Sequence, residues 1–111
     1  MAYDEALAER IRELVAPEKG LSERKMFGGL AFLVGGNMAI AASGQGGILV
    51  RVGPGQSDKL VATTKASVAI MGGRAMPGWL RVDSAVVRTK PQLSKWVRLG
   101  TSFARSLPAK R

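Results

Sequence analysis

Between residues 21 and 52 the chain alternates short apolar runs with glycine-rich breaks, and this punctuation limits the fold more than any other feature. The runs 21–27, 30–34, 38–42 and 48–52 read as strands, separated at Gly28-Gly29, Gly35-Gly36-Asn37 and Gly44-Gln45-Gly46-Gly47. Glycine and asparagine reach positive φ at little steric cost, so they mark tight turns. A parallel crossover needs a dozen residues or more, and links this short permit only antiparallel hairpins.

Helical patterns flank this meander. Residues 4–16 carry Leu7, Ile11, Leu14 and Val15 at intervals of three and four, with Asp4 as N-cap and Pro17 as terminator. After Gly53-Pro54-Gly55, Ser57 reads as the N-cap of a helix about two turns long that includes Leu60 and Val61. Residues 68–71 and 79–82 read as two further strands around the Gly72-Gly73 turn. Thr89 and Gln92 then fit a capping box, with Pro91 tolerated in the first turn. The helix beyond places Leu93, Trp96, Val97, Gly100, Phe103, Ala104 and Leu107 on one stripe, leaving Lys95, Arg98, Ser102 and Arg105 off it. Pro108 stops it, and residues 108–111 form a basic tail ending in Lys110 and Arg111. The expectation is a two-layer α+β domain spanning residues 1–111. An antiparallel sheet of five to six strands would carry N-terminal, short central and C-terminal helices on one face.

The 111 residues contain no cysteine and no histidine. Thiolate nucleophiles, disulfides, zinc sites built on these ligands and the commonest general base are therefore excluded. Ser43, Ser57 and Ser84 have no histidine to activate them, and no spacing among the eight acids resembles a general acid/base pair. No catalytic residue, metal or cofactor is expected. The start lacks a signal-type apolar core, and no apolar run approaches the roughly 20 residues of a membrane span. A cytoplasmic protein with no membrane partner is the expectation, and an exposed strand edge would support a homodimer.

Net charge is +9 and unevenly placed. Residues 1–18 hold five acids against two bases, whereas seven bases and no acid follow Asp83. Such a basic end attracts polyanions at long range. A solvated helix face explains the same residues without any partner.

Each candidate site has a structural alternative. Lys25-Met26-Phe27-Gly28-Gly29 precedes more strand pattern, not a helix, so the glycine pair reads as a bend beneath a packed Phe27 rather than a phosphate cradle. Gly53-Pro54-Gly55 imitates a phosphate loop but lacks the third glycine and the lysine. Leu49-Val50-Arg51-Val52 and Leu80-Arg81-Val82 each set one arginine among apolar neighbours. If both strands join one sheet, Arg51 and Arg81 share its open face, either as two-pronged contacts for carboxylate or phosphate or as solvated cations. Met76 and Trp79 form either an adaptable binding surface or, as the better reading, a core plug at the start of a strand.

Taken in order, Lys25-Met26-Phe27-Gly28-Gly29, Gly36-Asn37-Met38-Ala39, Leu49-Val50-Arg51-Val52-Gly53, Met76-Pro77-Gly78-Trp79 and Trp96-Val97 resemble the N-terminal-domain family of the bacterial competence regulator TfoX (Sxy). The likeness spans nearly the whole chain. It implies an α+β domain grouped with secretion-chaperone-like folds, with no catalytic activity and no cofactor. In longer relatives a helical domain follows, and those proteins act as transcriptional co-regulators of DNA uptake beside the cyclic-AMP receptor protein. The combined expectation is a regulatory or interaction module. It would bind an acidic protein or nucleic acid, without sequence readout, through Arg51, Arg81, Lys95, Arg98, Arg105, Lys110 and Arg111. The alternative is a small-molecule or anion-binding domain that uses the open sheet face.

Overall fold

A computed structural model describes residues 3–26, 28–71 and 73–108. The chain begins with α1 (Glu5–Val15), where the Asp4 side chain accepts from the Leu7 N–H at 3.1 Å. Four strands follow: β1 (Leu21–Met26), β2 (Gly29–Val34), β3 (Asn37–Ala42) and β4 (Ile48–Arg51). Then come α2 (Pro54–Thr63), β5 (Ser67–Met71), β6 (Arg74–Val82), a 3-10 turn (Ser84–Val86) and α3 (Lys90–Ser106). The strands form one six-stranded sheet in the order β1-β2-β3-β4-β6-β5, with every pairing antiparallel. The predicted α+β architecture is therefore present.

Period-2 alternation divides the sheet residues between two faces. Phe32, Ile40, Ile48, Val50, Leu80 and Val82 point to the helix side. They pack there with Leu7, Ile11 and Val15 of α1 and with Leu93, Trp96, Val97 and Ala104 of α3. Each such large side chain taken from water contributes roughly 1.5–3 kcal/mol, which makes this layer the main source of stability. The other face gathers a second, smaller apolar cluster of Ala31, Leu33, Met38, Ala41, Leu49 and Ala69.

The glycine pair that follows Phe27 serves the backbone. Met26 pairs with Gly29 at the closed end of the β1–β2 hairpin, and Gly28 there has φ of 75°. A Cβ on Gly29 would lie 2.1 Å from the Ala42 carbonyl oxygen. Phe27 itself lies outside the described residues. A second close approach joins the layers. Ala39 is an extra residue in the β2–β3 ladder, and a Cβ at Gly100 of α3 would lie 2.3 Å from its carbonyl oxygen.

Three sequence expectations need correction. β6 begins at Arg74 rather than at residue 79. Val68 pairs with Leu80 but Ala69 with Met76, so Pro77, Gly78 and Trp79 bulge out of the β5 ladder. Proline has no N–H to give a ladder and is tolerated in such a bulge. Gly78 instead accepts from the Val52 N–H at 2.7 Å. Ser57 is not an N-cap: Gly53 holds that place, Pro54 opens the helix, and buried Ser57 donates to the Pro54 carbonyl at 3.0 Å. Trp79 is not a plug of the main core but a half-buried residue packed on the second cluster.

Candidate functional site

The capping box expected at the start of α3 is formed. Thr89 Oγ1 accepts from the Gln92 N–H at 3.3 Å, and Gln92 Oε1 accepts from the Thr89 N–H at 3.0 Å. This start sets the helix phase, turning Leu93, Trp96, Val97, Gly100 and Ala104 inward and leaving Lys95, Arg98 and Arg105 exposed. At 100° per residue the three cations fall within an arc of about 80°, spread over about 15 Å of helix rise. Arg105 Nε stands 3.5 Å from Glu18 Oε1, so this cation is partly neutralised. Across the same layer, Arg10 of α1 donates to the Val87 and Arg88 carbonyls at 2.9 and 3.0 Å, fixing the segment that leads into α3.

Arg51 and Arg81 lie elsewhere. Arg51 pairs with Trp79, and Leu49 of the second cluster pairs with Arg81. Their strand positions therefore share the sheet face that looks away from the helix layer, but the Arg51 guanidinium extends back to Phe103 of α3. The same register sets Arg24, Ala31, Ala41, Leu49, Arg81 and Ser67 in one row across all six strands. Glu23, the only acid within the described strands, points to the helix side, where Arg12 grips it. The seven cations named from sequence thus do not form one patch. Three lie along α3, Arg51 reaches the Phe103 ring of α3 from the end of β4, Arg81 lies on the opposite sheet face, and Lys110 and Arg111 fall outside the described residues.

The two sheet arginines also differ in employment. The Arg51 guanidinium carbon lies 5.1 Å from the Trp79 ring centre and 5.4 Å from that of Phe103. This contact holds the end of β4 to α3, a structural use that alternation alone does not reveal. Arg81 is half-buried and contacts the β3–β4 turn. Its Nη1 donates to Gln45 Oε1 at 2.7 Å and to Ser43 Oγ at 3.5 Å, and its Nη2 reaches the Gly46 carbonyl at 3.5 Å. Beside it opens a polar groove of about 500 Å³ that also touches Lys65, Ser67, Asp83 and Ser84. Neither Lys65 nor Gln45 is marked by the sequence, because nothing local relates them to Arg81.

Among the described residues, the clear pKa perturbation belongs to a structural clasp. Two hydrogen bonds from Arg12, at 2.7 and 2.9 Å, hold the Glu23 carboxyl below its usual range. The same bonds raise Arg12, and Glu9 makes a further ion pair with it. Ser57 is fully buried and spent on the Pro54 carbonyl. The glycine turn at Gly53 follows a strand whose two neighbours are both antiparallel, unlike the parallel strand before a dinucleotide loop. No group of three metal-ligating side chains occurs among the described residues, and none of their helices is long and apolar enough to cross a membrane.

Among curated proteins no relative matches the sequence. Among protein families, residues 13–104 match the TfoX N-terminal domain, a stretch that takes in all six strands, α2 and most of α3. The chain therefore belongs to the TfoX N-terminal domain family, whose character is that of a competence-related regulatory domain and not of a known enzyme.

Proposed function

We propose that this domain is a non-catalytic docking module that meets an acidic patch on a protein partner through the outer face of α3. One observation carries the reading: a 17-residue helix without a single carboxylate exposes Lys95, Arg98 and Arg105 along one side. The neighbouring α1 turns Glu5, Glu9 and Glu13 outward, so the two-helix face carries both signs. A continuous run of phosphates would meet those acids. A folded partner with its own mixed surface can match them, and like-charge juxtaposition rejects the wrong ones. A regulatory family is the expected setting for such a module.

The reading is tested by titrating a polyglutamate peptide and a duplex DNA onto the protein and onto a Lys95→Glu/Arg98→Glu variant, at low and physiological salt. Polyglutamate binding that weakens with salt and vanishes in the variant is expected. A DNA complex with a log–log salt slope well beyond about −3, the value for three neutralised phosphates, would substitute nucleic acid for the protein partner. Polyglutamate binding that survives both charge reversals would rule out α3 as the docking surface.

A further inference from the structure

We propose that the groove beside Arg81 binds a small phosphomonoester with a hydroxylated body, such as a sugar phosphate. It shares no residue with the outer face of α3 and does not depend on the docking reading.

The guanidinium sets the chemistry of the groove. A half-buried cation is costly unless its donors are met, and the strongest partner is an anion. The Arg81 bonds to described residues all go to neutral oxygens of the β3–β4 turn: a side-chain amide, a hydroxyl and a carbonyl. They occupy Nη1 and leave Nη2 with only a long contact. Nε donates to no described residue. The Nε–Nη2 edge is the one with which Arg12 grips both oxygens of Glu23. Arg81 thus carries a fork of the right shape, held in place from behind by Gln45, with no carboxylate in it.

The surroundings select the ligand. Ser67 stands directly opposite Arg81 across the β5–β6 ladder, which brings their Cβ atoms within about 5.5 Å. Lys65, two residues before Ser67 in the chain, and Ser84 also line the groove. Two cations and the Ser67 hydroxyl supply more donors than a carboxylate's two oxygens use, and they suit the three terminal oxygens of a phosphate dianion. Asp83 would oppose a bare anion at its own end of the groove. Its Oδ1 already accepts from the Ala85 N–H at 3.2 Å and from Ser84 at 3.4 Å, and its second oxygen can accept from ligand hydroxyls. The volume of about 500 Å³ exceeds what a phosphate alone fills and lies within the usual range for small-molecule sites. The ligand is therefore oriented: phosphate toward Arg81 and Lys65, hydroxyls toward Asp83.

Ribose 5-phosphate, ribose and inorganic phosphate are the probes, with binding followed by calorimetry and by backbone amide shifts of the whole chain. Ribose 5-phosphate should bind, and ribose should not. Inorganic phosphate should bind about tenfold or more weakly than ribose 5-phosphate. Amide shifts should centre on Gly47, Ser67 and Ser84. Arg81→Lys keeps the charge but loses the fork, and should weaken binding about tenfold or more. Lys65→Ala, at an exposed position that does not endanger folding, should weaken it severalfold, whereas Lys95→Glu/Arg98→Glu should leave it unchanged. Failure of ribose 5-phosphate to bind at millimolar concentration overturns the proposal. So does binding that persists in both Arg81→Lys and Lys65→Ala, or amide shifts confined to α3.

Discussion

Gly100→Ala should destabilise the protein by about 2 kcal/mol, although the same change in an unobstructed helix interior would stabilise it by about 1 kcal/mol. The reason is the meeting of α3 with the β3 bulge. A Cβ at residue 100 would stand 2.3 Å from the Ala39 carbonyl oxygen, 2.9 Å from its carbon and 3.3 Å from Val50 Cγ1. Ordinary contact needs about 1 Å more, and the obstacle is backbone, which has no rotamer to escape into. Either α3 lifts from the sheet, loosening Trp96 and Val97, or the bulge moves. Overpacking of this kind costs about 1–3 kcal/mol and more where backbone must shift, so it outweighs the helix-propensity gain. Gly55, in the first turn of α2, is the internal control. A Cβ there would meet no atom within 4 Å, and the residue is exposed, so Gly55→Ala should be neutral or stabilising by up to about 1 kcal/mol. Urea unfolding of both variants reads the difference, which at about 5 °C per kcal/mol should also be plain in melting temperature. A Gly100→Ala protein as stable as the parent would refute the close approach of α3 to Ala39.

The remaining predictions concern the caps, the clasp and the sheet arginine. Thr89→Ala removes one half of the α3 capping box and should cost about 1 kcal/mol in urea unfolding. Glu23→Gln tests the Arg12 clasp through pH. The folded Glu23 carboxyl lies below the free value of 4.5, so its stabilisation is complete above that value and disappears as pH falls through the lowered one. The stability gap between parent and Glu23→Gln should accordingly be flat near neutrality and shrink on acidification, and a gap that widens in acid would contradict the clasp. Arg51→Ala should cost about 1 kcal/mol by removing a cation held near two aromatic rings. Arg24→Ala, on the same sheet face but exposed, should stay within about 0.5 kcal/mol of the parent in the same assay.

Both long helices are legible in the sequence because their signals are local. Asp4, Thr89, Gln92 and the 3.6-residue apolar stripe announce their own termini and faces whatever the rest of the chain does. The hairpins are legible for the same reason, since glycine turns fix register at short range. The start of β6 is hidden because Pro77-Gly78 has the chemistry of a turn, and only a switch of hydrogen-bond partner from β5 to Val52 lets a strand contain it. Ser57 fits the composition of an N-cap, but Pro54 at the first helical position already settles where α2 begins. Alternation places Arg51 and Arg81 on a common face once their strands join one sheet. It cannot show that Phe103 meets Arg51, or that Gln45 and Lys65 flank Arg81, because those neighbours are brought together only by the finished sheet.

The uneven charge also has a structural cause. Five of the eight acids are engaged internally: Asp4 and Asp83 cap helical turns, Glu9 and Glu23 hold Arg12, and Glu18 faces Arg105. None of these carboxylates pairs with Lys95 or Arg98, whereas Asp83 lines the groove together with Lys65 and Arg81. Part of the excess of +9 therefore stands in two fields of different shape. The α3 strip is exposed, and it suits an extended anionic surface whose attraction salt readily screens. Arg81 is half-buried at the wall of a groove, where screening is weaker and a fixed fork favours one geometry of anion over another. The shape of the surface around each cation, more than the total charge, sets which anions this domain can distinguish.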